Sequence, residues 1–217
     1  MSLDEFYSLL KQGINNFSWQ ELVAVVAGIA SVMFSRVENI LVYPVGLVST
    51  TLYIYLSYKY QLLGEAVVNL YYTYMSIYGW ILWARRNDQH QPVVRVTWSS
   101  RKEWRQQLVF FGIFFVSFFI ALTFARNSFY EGAIPFGDSF ATATAFTGMW
   151  LMAKKKVESW YWWIATNFAS IPLYFVKHLV LTSVFYGILL VMAIFGLAEW
   201  KRRARKYSKE AHALNTL

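Results

Sequence analysis

The sequence predicts an all-α membrane protein with seven transmembrane helices, arranged as two parallel three-helix repeats joined by a linker helix. Three observations predict this fold. Long apolar blocks run through the chain, most of its basic residues fall in alternate connections, and its two halves carry similar short motifs in the same order.

The apolar blocks indicate the membrane. The chain of 217 residues is 57% hydrophobic and 15% charged, whereas a soluble domain carries about 25% charged residues. A helix needs roughly 20 apolar residues to cross the hydrocarbon layer, and lipid offers the backbone no hydrogen-bond partners. A soluble protein is the alternative, but one core could not bury so much apolar length. The predicted spans are Glu21–Ser35, Ile40–Tyr60, Glu65–Trp83, Gln107–Ala125, Asp138–Ala153, Trp160–Lys177 and Leu179–Trp200.

The basic residues predict the orientation. With seven spans, the first, third and fifth connections and the C-terminus lie on one side and hold sixteen of the 20 Lys and Arg residues, including Lys154–Lys156 and Lys201–Arg203. Positive residues favour the cytoplasmic side, so we expect a cytoplasmic C-terminus and an external N-terminus. This topology accounts for the net charge of +8 without a nucleic-acid partner.

The two halves resemble each other. Val37-Glu38-Asn39 is echoed by Val157-Glu158-Ser159, Leu52-Tyr53 by Leu173-Tyr174, and the end of the third span by the end of the seventh. Two repeats of three spans each can face the same way only if one further span between them brings the chain back across the membrane. This gives a 3+1+3, SWEET-like arrangement. Shared composition of two membrane halves is the alternative. The predicted organisation is an interfacial segment (1–19), a first repeat (20–86), a cytoplasmic loop, linker helix and outer loop (87–137), a second repeat (138–203) and a basic cytoplasmic tail (204–217).

Polar side chains recur along two of the spans. Their spacing of three and four residues places each set on one helix face. Because an amide is costly in lipid, both faces should point into the bundle, where amides can bind a carboxamide or hydroxyls and aromatic rings can stack on a flat, cationic ring. Hydrogen bonding between helices is the alternative role. The two sets are Trp163, Asn167, Ser170 and Tyr174 on the sixth span, and Asn69, Thr73, Ser76 and Trp80 on the third.

Other residues have simpler interpretations. Thr147 and Trp150, with Thr142 and Thr144, form a partly polar face on the fifth span that suits either packing or pore lining. Tryptophan is enriched at membrane interfaces, which predicts an anchoring role for a further group. That group is Trp19, Trp160, Trp162 and Trp200.

Catalytic chemistry is not indicated. The sequence lacks phosphate-binding loops, nucleophile elbows and paired metal-ligand motifs, it has no cysteine, and its three histidines are scattered. We therefore expect no enzyme activity, cofactor or metal. The acidic residues fall at the predicted span ends, whereas ion-driven carriers usually bury a carboxylate at mid-depth. This favours passive facilitated movement.

Three segments resemble the PnuC family of bacterial vitamin transporters: ENILVYPVGLVSTTLY (Glu38–Tyr53), NLYYTYMSIYGWILW (Asn69–Trp83) and MWLMAKKKVESWYWWIATNFASIPLYFVK (Met149–Lys177). The resemblance implies a SWEET-like fold in the lipid bilayer of the bacterial inner membrane. It also implies facilitated diffusion of nicotinamide riboside, trapped inside by a cytoplasmic riboside kinase. Trp163 and Asn167 match the family's WxxxN element, Asn69 occupies its amide position on the third helix, and Tyr53 joins the candidate contacts. Thiamine is the alternative substrate, and a homo-oligomer is left open.

Overall fold

The fold is helical throughout. This computed structural model describes residues 3–60, 63–128 and 132–214, and within these ranges it contains eight α-helices and no β-strand beyond two isolated bridges. The seven predicted spans correspond one to one with α2 to α8, and the predicted interfacial segment contains α1. The helices are α1 (Leu3–Asn15), α2 (Trp19–Arg36), α3 (Val42–Lys59), α4 (Leu63–Ala84), α5 (Arg101–Ser128), α6 (Pro135–Ala153), α7 (Ser159–Val176) and α8 (Val180–Leu214).

Local sequence explains where several helices begin. Ser18 and Glu21 form a reciprocal capping box at the start of α2, with each side chain accepting a hydrogen bond from the other's backbone N–H. Ser100 and Glu103 repeat this arrangement at α5. Such caps satisfy backbone donors that have no partner inside the helix. Because Ser100 caps α5, this helix begins at Arg101, six residues before the predicted start of the span at Gln107.

Two helices are long and apolar enough to cross a membrane by themselves, namely Arg101–Ser128 and Val180–Glu210. The pair Asp4–Asn15 and Trp19–Arg36, bent by 102°, meets the same requirement when taken together. The last helix, α8, continues past the predicted end at Trp200 to Leu214. Charged residues populate this extension, and Glu199 pairs with Arg202 and Arg203 one turn further on, so the extension suits an aqueous environment.

Six helices form a ring in chain order. α2 packs on α3, α3 on α4, α4 on α6, α6 on α7, α7 on α8, and α8 on α2, which closes the ring. The fourth predicted span, α5, lies outside the ring against α6, and α1 packs against α8. Each ring helix therefore has an inner face, where polar side chains can be sheltered, and an outer face.

A constant offset relates the first three ring helices to the last three. The starts of α3 and α7 (Val42 and Ser159), the starts of α4 and α8 (Leu63 and Val180) and the ends of α2 and α6 (Arg36 and Ala153) are each 117 positions apart. The sequence motifs paired Glu38 with Glu158, at an offset of 120, whereas the offset of the helix bounds pairs Glu38 with Lys155.

One end of the ring is closed by aromatic packing. Tyr43, Trp83, Trp160 and Trp200 are all at most 3% exposed and belong to one buried cluster. The prediction that Trp160 and Trp200 anchor the protein at the membrane interface is wrong. Their nearness to basic residues suggested a surface position, but the facing half of the ring and the connection between α4 and α5 cover them. Trp19, with 69% of its surface exposed, stays compatible with an anchor.

The connection between α4 and α5 is tied to this closed end. The backbone of Thr97 exchanges hydrogen bonds with Lys155 and Val157, at 3.1 and 3.0 Å. Glu158, buried at 1% exposure, accepts hydrogen bonds from the backbone N–H and the hydroxyl of Ser99, both at 2.8 Å. A polar, basic loop is thereby held as part of the packed structure.

Candidate functional site

The inner face of α7 carries the main candidate residues. Asn167 and Ser170 are buried, at 3% and 1% exposure. Trp163 lies one turn earlier, and its indole ring covers Gly148 of α6, where an added Cβ would lie 3.3 Å from the ring atoms. The absence of a side chain at Gly148 is what lets the indole lie flat against α6. The predicted α7 stripe therefore faces the bundle interior.

Asn167 has a property that separates it from ordinary buried amides. In the described part of the chain, no hydrogen bond reaches its side chain. The residue is 3% exposed, yet its amide atoms are not among the fully buried atoms that lack a partner in the described chain, so they keep surface that another molecule can reach. An amide offers two donors and an acceptor to such a molecule.

Aromatic rings from three helices pack together around Trp163, one turn before Asn167. The ring of Tyr72 on α4 has its centroid 6.1 Å from that of Trp163, and Phe146 lies 6.3 Å from Tyr72. Tyr71 stacks on Phe146 at 3.8 Å. The rings therefore come from α4, α6 and α7, so the candidate site lies between the two halves of the ring.

The inner face of α4 is polar but mostly paired within the protein. Asn69 is buried, and its side-chain N–H donates to the Glu65 carbonyl one turn back, at 2.9 Å. The Thr73 hydroxyl lies 2.9 Å from that of Thr50 on α3. Ser76 is also buried. Both candidate amides thus point inward, although only that of Asn167 lacks a partner.

Three residues that were predicted to contact the substrate are exposed or make packing contacts instead. Trp80 is 40% exposed. Trp150 stacks on Phe110 of α5, with ring centroids 4.7 Å apart, which makes it a packing residue of the α5–α6 interface. The Thr147 hydroxyl donates to the Ala143 carbonyl of its own helix at 2.8 Å. These contacts favour the packing role over pore lining for the polar face of α6.

The opposite end of the site from the aromatic cluster carries charge. The Tyr174 ring stacks on Tyr186 of α8 at 5.1 Å, and its hydroxyl lies 3.4 Å from the Glu65 carboxylate on α4. Asp138 and Lys177 form an ion pair at 2.5 Å that joins α6 to α7. Tyr53 of α3 lies within electrostatic range of Glu65. An acidic, tyrosine-rich mouth suits the approach of a cationic, aromatic molecule.

Sequence reasoning missed several residues here. Thr50, Tyr72 and Tyr186 lie next to predicted contacts, yet none of them belongs to the two polar stripes. Thr50 could have been found from the constant offset of 117, because it is equivalent to Asn167, just as Tyr53 is equivalent to Ser170. Tyr72 and Tyr186 gave no distinguishing signal among the chain's 15 tyrosines.

A ring of apolar helices that holds a free amide and aromatic rings between its halves suits a membrane transporter for a small molecule. The sequence profile of the nicotinamide mononucleotide transporter family matches residues 18–202, so this chain belongs to that family.

Relatives of known function agree with this assignment. The chain is 25% identical to the nicotinamide riboside transporter PnuC of Escherichia coli, over 90% of each chain. It is 26% identical to the PnuC of Neisseria mucosa, over 89% of this chain and 76% of that one. It is 21% identical to the riboflavin/roseoflavin transporter RibM of Streptomyces davaonensis, over 88% of each.

A solved structure shares the fold. The crystal structure of the vitamin B3 transporter PnuC superposes with a TM-score of 0.68, covering 94% of this chain and 90% of that one at 23% identity. The helical architecture described above is thus that of a known vitamin transporter.

Proposed function

We propose that this protein carries nicotinamide riboside across the bacterial inner membrane by facilitated diffusion. The observation that carries the proposal is the free amide of Asn167, one turn after Trp163 on the inner face of α7. A carboxamide on a pyridinium ring can pair with the asparagine amide through two hydrogen bonds. The positive ring gains cation–π attraction from Trp163 and Tyr72 when it lies against their faces.

The ring packing supports seven spans in a 3+1+3 arrangement. Within each half, the middle helix contacts both of its neighbours. Between the halves, the third helix of one packs on the first helix of the other, as α4 on α6 and α8 on α2. Two parallel repeats around a two-fold axis make equivalent contacts of this kind, and α5, outside the ring, is the linker that returns the chain.

Residues at equivalent positions support the same arrangement. Tyr43 meets Trp83 edge to face at 5.1 Å, and Trp160 meets Trp200 in the same way at 5.7 Å. Gly79 and Gly196 lie directly against Tyr43 and Trp160, respectively. Every one of these pairs is related by the offset of 117. The basic residues near this aromatic end support a cytoplasmic location for it by the positive-inside rule, with the N-terminus outside.

The location of the carboxylates supports passive transport. Among the described residues near the bundle axis, Glu38 and Glu158 lie in connections at the aromatic end and are already paired or hydrogen-bonded. Asp138 and Glu65 lie in the first turn of their helices. A proton- or sodium-driven carrier usually places a carboxylate at mid-depth. Accumulation would then depend on phosphorylation of the riboside by a separate cytoplasmic kinase.

Proteoliposomes test this function directly. Purified protein is reconstituted with a riboside kinase and ATP trapped inside, and labelled nicotinamide riboside or thiamine is added outside. We expect rapid riboside accumulation that Trp163→Phe slows. Trp150→Phe is the matched control, because Trp150 packs on α5. Brisk thiamine uptake without riboside uptake would assign thiamine as the substrate instead.

A further inference from the structure

Two turns at the aromatic end have the same backbone. Glu38, after α2, and Lys155, after α6, have positive φ values of 60° and 52°. Their N–H groups donate to the carbonyls of Ser35 and Met152, both at 3.0 Å, and the following N–H group closes each turn onto the helix. The two positions are 117 apart, so they are equivalent points of the two halves. One carries an acid and the other a base.

These equivalent residues meet each other. Lys155 Nζ lies 2.7 Å from Glu38 Oε1, and the two side chains are only 6% and 8% exposed. The other Glu38 oxygen lies 3.3 Å from Arg203 and accepts a hydrogen bond from Tyr207, both on α8. Lys155 Nζ also lies 4.3 Å above the Trp83 ring. Burial lowers the pKa of Lys155 below its usual value, and the hydrogen bond to Glu38 opposes that effect.

The interface behind this ion pair is fully packed. Trp83 and Trp200 meet at 6.2 Å, and the Ser35 hydroxyl lies 2.9 Å from the Met152 sulfur. All four residues are buried. At this end, the two halves therefore pack directly against each other through buried side chains.

The aromatic end also holds unsatisfied polar atoms. The Tyr43 hydroxyl, the Ser159 hydroxyl and Trp160 Nε1 are buried without a hydrogen-bond partner in the described part of the chain, and Tyr43 and Trp160 are again equivalent. Such atoms cost free energy while they stay dry, so entry of water at this end would offset part of the cost of opening.

The opposite end is joined differently. Its ion pair, Asp138–Lys177, joins α6 to α7 and therefore lies within one half. The hydrogen bond from Tyr174 to Glu65 crosses between the halves but is long, at 3.4 Å. The Tyr71 hydroxyl also donates to the Phe146 carbonyl across the halves, at 3.0 Å. Among the described residues, however, the ion pairs that join the halves all involve Glu38 at the aromatic end.

We propose that Glu38 and Lys155 form the latch of a cytoplasmic gate, which must break for substrate to leave the site on that side. This inference rests on the proposed transport function. Carriers built from repeats work by rocking one half against the other around a fixed site. A buried ion pair contributes little net stability compared with apolar packing, so it suits a contact that forms and breaks in each cycle.

Cysteine cross-linking tests the latch, because the chain has no cysteine of its own. In the double variant Glu38→Cys/Lys155→Cys, a disulfide or a short bis-maleimide bridge should abolish riboside uptake into proteoliposomes, and reduction of the disulfide should restore it. The matched control is Glu103→Cys/Lys156→Cys, an ion pair at 2.8 Å that joins α5 to one half only, and its bridge should leave uptake largely intact. Unchanged uptake by the bridged Glu38/Lys155 variant would overturn the latch.

A measurement of riboside binding shows whether the latch proposal or the proposed transport function is wrong. The bridged variant should still bind riboside when titrated in detergent, since its site is untouched. If the unbridged protein neither binds nor transports riboside, the proposed function fails, whatever the bridge does.

A second variant removes the latch without a bridge. Glu38→Gln/Lys155→Met keeps the side-chain shapes and removes both charges. When this variant also carries Ser35→Cys, a membrane-impermeant maleimide added on the cytoplasmic side should label that cysteine roughly ten times faster than in the single variant Ser35→Cys. A roughly tenfold change is what loss of one charge-assisted hydrogen bond is expected to cause. Unaltered labelling would count against the latch.

Discussion

Trp83 and Trp200 hold the two halves together through reciprocal hydrogen bonds. The Trp83 indole N–H donates to the Ala153 carbonyl at 3.0 Å, and that of Trp200 donates to the Ser35 carbonyl at 3.0 Å. Each acceptor lies at or next to the last residue of a helix in the opposite half, where backbone carbonyls lack partners within their own helix. One pair of residues thus caps α2 and α6 and joins the repeats.

Loss of either indole N–H should weaken the protein. Trp83→Phe keeps an aromatic ring but leaves the buried Ala153 carbonyl unpaired, so it should lower the free energy of unfolding by about 1–3 kcal/mol. Trp200→Phe leaves the Ser35 carbonyl its hydrogen bond from the Glu38 N–H, so the loss should be smaller, about 0.5–1.5 kcal/mol. Thermal unfolding in detergent measures the effect. Trp19→Phe, at an exposed position, is the control, and equal melting temperatures for all three variants would contradict the assigned role.

Asn167→Leu should separate binding from stability. Its amide makes no hydrogen bond with the described residues, so removing it should leave the melting temperature unchanged or slightly raised. Riboside affinity should fall by roughly 5- to 150-fold, because loss of a buried hydrogen-bond partner costs about 1–3 kcal/mol. Isothermal titration and thermal unfolding of the same preparation give both numbers. A large loss of stability would instead mean that Asn167 has a structural role.

Two glycines should tolerate no side chain. A Cβ at Gly79 or Gly196 would lie within 2.6 Å of the Tyr43 or Trp160 ring, respectively. Gly79→Ala and Gly196→Ala should each cost about 1–3 kcal/mol through overpacking. Gly112→Ala on α5 has open space around it and should gain up to about 1 kcal/mol from helix propensity. If all three alanines behaved alike in thermal unfolding, the close packing would be disproved.

Glu158→Gln should loosen the connection between α4 and α5. The two hydrogen bonds from Ser99 go to different carboxylate oxygens, and the amide would replace one of these acceptors by an NH2 group, which only donates. We expect faster limited proteolysis within residues 87–100. Glu210→Gln, near the end of α8, is a control that should leave the cleavage rate unchanged. Equal cleavage of both variants would show that the carboxylate does not hold the loop.

Ionophores should not alter the initial exchange rate. The carboxylates near the site lie at helix ends, so neither protons nor sodium ions should be coupled to substrate movement. Riboside counterflow in proteoliposomes, with and without collapse of both ion gradients, measures this. Strong inhibition would require a coupled ion, and Glu65 at the site's mouth would then be the first residue to test.

The sequence determined the helices, because apolar run length and the spacing of polar residues are local properties. It therefore also determined that Asn69 and Asn167 point inward. Only the tertiary structure decided which amide stays free, since that depends on groups brought from other helices. It also placed Trp160 and Trp200 in the core instead of at the membrane surface and brought Glu38 onto Lys155 across 117 residues. Contacts between halves depend on how the repeats face each other, which no short stretch of sequence specifies.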